Sequence, residues 1–195
     1  MVRIHAKHGQ TSDQIQFLYD CASSSRIDEI ALELTRISNL QAKIQALVLE
    51  LEPLLLPFHG DANGILFSFF FFSFFFWTLE PLSLACFCSQ AALPLVRALS
   101  EANSYASKDQ VVYNKPLSYY ALRDHVQCIA KELSTVSPLL GFSDLDQFRR
   151  ILTGSEVLKE DTIQLLWAGK VLDRGKRLSD YIGENEKTKA LFYNL

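Results

Sequence analysis

Apolar and polar residues alternate strictly at the start of the chain. In "MVRIHAKHG", Val2, Ile4 and Ala6 fall on one face of a strand, Arg3, His5 and Lys7 on the other, and Gly9 ends the run. After the polar connection "QTSD", the segment "QIQFLY" repeats the alternation through Ile15, Phe17 and Tyr19. Residues 2 to 19 therefore predict an antiparallel hairpin with one covered face. The period then changes. Ile27, Ile30, Leu34, Ile37, Ile44, Val48 and Leu51 keep a three-four spacing broken by Gln41, and Ser25 with Asp28 has the spacing of a capping box. Ser38 and Asn39 stand where a helix can stop and Pro53 closes the pattern, so two helices are expected in preference to one rod. Their apolar stripe would cover the hairpin; a coiled coil of about three heptads is the other reading.

From Glu52 to about Ser100 the pattern predicts no regular element, and the prolines and glycine of "EPLLLPFHG" mark a turn. Order returns at Pro116, which can open a helix whose apolar face is Tyr119, Leu122, Val126, Ile129 and Leu133. A shorter helix starts near Ser143 and uses Leu145, Phe148 and Ile151 before Gly154. The last third, "IQLLWAGKVLDRGKRLSDYIGENEKTKALFYNL", opens on an apolar run and turns at Ala168 and Gly169. After Val171 and Leu172 it turns again at Asp173, Arg174 and Gly175. Its final residues alternate, Ala190, Phe192 and Asn194 against Leu191, Tyr193 and Leu195, and so can add a strand.

One block has no period at all. "ILFSFFFFSFFFW", Ile65 to Trp77, is phenylalanine interrupted by serine. It is too short to span a bilayer, because Glu80 and Pro81 interrupt it before the roughly 20 apolar residues a crossing needs. As a strand it would need cover on both faces. Its near-homopolymeric character also fits translated non-coding sequence, such as a retained intron, and that reading is preferred to a membrane or a core role. Deleting Gly64 to Gln90 is then expected to improve the yield of folded protein.

Charge and cysteine content narrow the function classes. The chain has 195 residues with 19 basic and 22 acidic side chains, and no basic stripe dense enough to neutralise many phosphates, so nucleic acid is not the expected partner. No apolar run follows the first basic residues as in a signal peptide, which makes a reducing, cytoplasmic setting the default. Cys86 and Cys88 are one residue apart, and neither Cys21 and Cys128 nor the four histidines make a zinc pair. Cys21 and Cys128 read as small core residues, His5 and His8 as surface residues. His125 and Cys128 share a helix face at i and i+3, but no GxSxG and no oxyanion site accompanies them. "GENEKTK" and "AGKVLDRGKR" lack phosphate-loop spacing. No enzyme, cofactor or metal is expected.

Two resemblances enter at the C-terminus. "LWAGKVLDRGKRLSDY", Leu166 to Tyr181, resembles the middle of ubiquitin. With the opening hairpin and helix it implies an α+β fold with a split β-grasp-like sheet and a helical insertion, although "FYNL" carries no terminal diglycine for conjugation. The second resemblance, to the kurly family of cilia- and flagella-associated proteins, continues through "KRLSDYIGENEKTK". It includes "MVRIHAKHG", "QFLYD", "KIQAL", "VLKEDTIQLLWAGK" and the helix from Ala121 to Leu133. The Phe-rich block has no place in that family, and the family continues past Leu195, which implies a shortened chain.

The likeness implies a non-catalytic adaptor or assembly factor in axonemal dynein arm assembly and cilium motility. Its partners would be dynein-assembly or cytoskeletal proteins, and its place the cytoplasm or the ciliary base. A general ubiquitin-like interaction domain is the alternative. The expected organisation is residues 1–52 as hairpin and helices, 53–104 as an aberrant apolar insertion, and 105–195 as a helix pair with the closing strands. Tyr181 is an aromatic flanked by charge, as at protein-binding hot spots. The expected contact region is therefore Leu178, Asp180, Tyr181, Asn185, Lys187 and Lys189, with Leu178 and Tyr181 as core residues in the competing reading.

Overall fold

The computed structural model describes residues 1–8, 15–55, 82–140, 145–154, 158, 165–183 and 189–194. Five strands form one sheet: β1 (Val2–His8), β2 (Ile15–Cys21), β3 (Leu165–Trp167), β4 (Lys170–Val171) and β5 (Lys189–Asn194), in the order β2-β1-β5-β3-β4. β1 pairs antiparallel with β2, Ala6 opposite Phe17, and parallel with β5, Ala6 beside Phe192. β3 runs antiparallel to both β5 and β4. Strands from the two ends of the sequence thus share a single sheet, and the α+β class holds.

Among the described residues the helices are α1 (Ile27–Leu55), α2 (Leu82–Ala106), α3 (Asp109–Val112), α4 (Tyr119–Leu140), α5 (Leu145–Thr153) and α6 (Ser179–Ile182). The chain divides into two compact units. The first is Met1–Lys43, Ser104–Asp124 and Ser155–Leu195, and the second is Ile44–Asn103 and His125–Gly154.

In the first unit, Val2, Ile4, Ala6, Phe17 and Cys21 are buried together with Ile27, Ile30, Ala31, Leu34 and Ile37 of α1. The strand period of two and the helix period of 3.6 each supply one apolar face to this core. Leu18, on the opposite face of β2 from Phe17, is buried as well. Its strand edge is paired with the segment before α4, through a bridge to Pro116 and a hydrogen bond from the Leu117 N–H to the Leu18 carbonyl at 2.7 Å. Pro116 therefore sits in an extended stretch and does not open the helix, which starts at Tyr119.

Contrary to the expectation of two helices, Ile27–Leu55 is one helix. Ser38, Asn39 and Gln41 are buried, and Asn39 and Gln41 find partners far along the chain. The Asn39 amide donates to the Leu158 carbonyl and its side-chain oxygen accepts the Leu158 N–H, both at 3.0 Å. The Gln41 amide donates to the Ala106 carbonyl at 2.6 Å. Thr35 turns its hydroxyl back to the Ala31 carbonyl at 2.7 Å. Asn39 and Gln41, occupied by distant groups, do not compete for their own helix backbone, which is how polar side chains such as Asn usually end helices. Pro53 lies inside the last turn, where only one helical hydrogen bond is lost.

The capping box at Ser25 is not where the helix begins. The N–H of Ile27, one of the first-turn donors without a helical acceptor, donates to the Lys176 carbonyl at 3.0 Å. In the second unit, Leu47 is buried where the sequence period pointed to Val48, and Leu51, Ile129, Leu133 and Phe148 lie in the core as expected. The segment read as irregular before Ser100 contains α2, whose Ala92, Leu95, Ala98, Leu99 and Ala102 are buried. Ile65 to Trp77 lie outside the described residues.

Candidate functional site

The C-terminal contact region is built from a tight hairpin and the loop that follows it. β3 and β4 are joined by a two-residue turn in which Ala168 and Gly169 both have positive φ, 49° and 77°. A two-residue connection of this kind matches the twist of the strands it joins, and alanine is strained in it. Val171 is 53 % exposed at the sheet edge, whereas Leu165 and Leu172 are buried and tied by the Leu172 N–H to the Leu165 carbonyl at 2.9 Å.

The next loop, Asp173 to Gly183, is held from two sides. Its backbone is stitched to the segment leading into α1: the Leu178 N–H donates to the Ser25 carbonyl at 3.0 Å and the Ser179 N–H to the Ser23 carbonyl at 2.8 Å. A bridge between Arg26 and Arg177 continues this pairing. Its side chains brace one another. The Lys176 ammonium is 2.8 Å from the Asp173 carboxylate and 5.7 Å from the centre of the Tyr181 ring, and the Asp173 N–H donates to the Tyr181 hydroxyl at 2.8 Å. The hydrogen bond from Lys176 holds the Asp173 carboxyl below its ordinary range, and the same contact raises Lys176. The Asp180 carboxylate accepts the Arg177 N–H at 3.0 Å, and α6 ends at Gly183, whose φ of 75° and ψ of −172° form a conformation nearly confined to glycine.

The expected contact residues separate into four groups. Leu178 is fully buried, so it is a core residue that fastens the loop and is withdrawn from the contact surface. Asp180 is exposed and Tyr181 half-buried, with its ring beside Lys176 and its hydroxyl used within the loop. Asn185 and Lys187 lie outside the described residues. Lys189 is placed only by its backbone, at the start of β5 beside Arg3. The sequence pattern missed the pairing of Asp173, Lys176 and Tyr181. The i, i+3 charge spacing of "DRGK" was a usable signal for the first two.

Other candidate chemistry is dispersed. Cys21 is buried and its thiol is pushed up to about 11 by burial, but Cys128 is exposed on α4 and is not a core residue. Helix α4 turns Leu122, Ile129 and Leu133 inward, which leaves the Cys128 position toward solvent. His5 is half-buried rather than superficial. Its Nε2 is buried without a hydrogen-bond partner among the described residues, and burial with the Lys7 charge lowers its pKa. The side chain of His8 is not among those described. Arg3 grips Asp20 through two hydrogen bonds at 2.7 and 2.6 Å, which hold the Asp20 carboxyl below its usual range, and also donates to the Asn114 carbonyl. No described helix is long and apolar enough to cross a membrane.

These features define an α+β protein whose mixed sheet joins both ends of the sequence and presents a braced, charged C-terminal loop. The sequence profile described as Cilia- and flagella-associated protein 298 matches residues 163–192, the span from just before β3 into β5. The kurly-family resemblance seen in the sequence is thereby borne out. The chain is 26 % identical over 231 residues to the Homo sapiens protein of that name, covering 98 % of this chain and 75 % of the relative. Against the Rattus norvegicus protein the identity is 25 % over the same length and coverage. The Danio rerio protein is 34 % identical over 107 residues, covering 50 % of this chain and 37 % of the relative. No solved structure matches the chain.

Proposed function

We propose that this chain is a non-catalytic, cilium- and flagellum-associated adaptor that holds other proteins together during assembly of the axonemal dynein arms, with the loop Asp173–Gly183 and the following residues as its contact surface. The observation that carries the reading is the similarity, along 98 % of the chain, to a protein named for its association with cilia and flagella. The 163–192 profile match supports the choice of surface, because it falls on the hairpin, the braced loop and the closing strand. Partners would be dynein-assembly or cytoskeletal factors in the cytoplasm or at the ciliary base.

The sheet order β2-β1-β5-β3-β4, with a parallel central pair, favours one further reading, a β-grasp-like interaction domain of general use. Affinity capture from motile-ciliated cells separates the two. The intact chain should retain a reproducible set of dynein-assembly partners, and a Tyr181→Ala, Lys187→Ala double variant confirmed to be folded should lose them. Ubiquitin-pathway partners in their place would favour the second reading. Identical partner sets for both proteins would remove this surface from consideration.

A further inference from the structure

We draw no further inference here: the strongest candidate, the exposed sheet edge at Lys170–Val171 beside the cavity lined by Ile27, Ala31, Leu165 and Leu172, is an apolar face for which nothing in the structure shows what covers it.

Discussion

Leu178 and Tyr181 are three residues apart and do different work, which substitutions should expose. Leu178 is fully buried and its N–H is tied to Ser25, so Leu178→Ala should cost about 2–4 kcal/mol in denaturant unfolding. Tyr181→Phe removes only the hydroxyl that accepts the Asp173 N–H at a solvated position and should cost about 0.5–1 kcal/mol. Equal losses at the two positions would contradict this division of roles. Charge at the residue scale also sets the response to pH. Folding disfavours the protonated forms of His5, through burial, and of Asp20, through the Arg3 hydrogen bond, so stability falls on acidification, for His5 as pH falls below its ordinary 6.5 and for Asp20 as it falls below 3.8.

Cys21 and Tyr19 act in the opposite direction. Burial raises them to about 11 and about 12 from 9.0 and 10.0, so their contributions are intact below those ordinary values and lost as pH climbs through the folded ones. Peptide-resolved alkylation offers an independent check at neutral pH: Cys128 should react at once, while Cys21 should wait for unfolding. Rapid labelling of Cys21 would contradict its burial.

At the scale of elements, the strands and the helix faces could be read directly, because alternation and three-four spacing report which side is buried. The continuity of α1 could not. Asn39 looks like a stop signal when only its neighbours in sequence are considered, and becomes a helix residue because Leu158, 119 residues away, takes both ends of its amide. Asn39→Ala should therefore destabilise the protein by about 1–3 kcal/mol, since it leaves two backbone groups of Leu158 without these partners. No loss in chemical denaturation would show that water replaces the amide.

Capping was misread for the same reason. The acceptor for the Ile27 N–H is the Lys176 carbonyl, which local spacing cannot reveal. The β3–β4 turn was legible as to place, but its strain was not. Ala168→Asn, with a side chain that tolerates positive φ, should raise stability by about 0.5–1 kcal/mol. The start of α2 at Leu82 also alters the expected deletion: Gly64 to Gln90 would remove part of a helix.

For the whole molecule, the sequence ends supplied more than its middle. The opening and closing alternations mark strands that the structure joins in one sheet, and the resemblance carried by "KRLSDYIGENEKTK" falls within the profile match at 163–192. The division into two units was not legible. Each unit is assembled from separate stretches, and α1, α2 and α4 contribute residues to both. Periodicity identifies a buried face without identifying what buries it. At the expected contact region, only packing distinguishes the buried Leu178 from the exposed Asp180 two residues later.

The central claim, that this chain serves ciliary assembly through its C-terminal surface, is tested most directly by replacement. In motile-ciliated cells lacking their own Cilia- and flagella-associated protein 298, beat frequency and the outer dynein arms seen in axoneme cross-sections are measured after expression of this chain or of its folded Tyr181→Ala, Lys187→Ala variant. Restoration of arms and beating by the intact chain, and failure by the variant at equal abundance, is the predicted result. Absence of any restoration by the intact chain, or equal restoration by both proteins, would contradict the account.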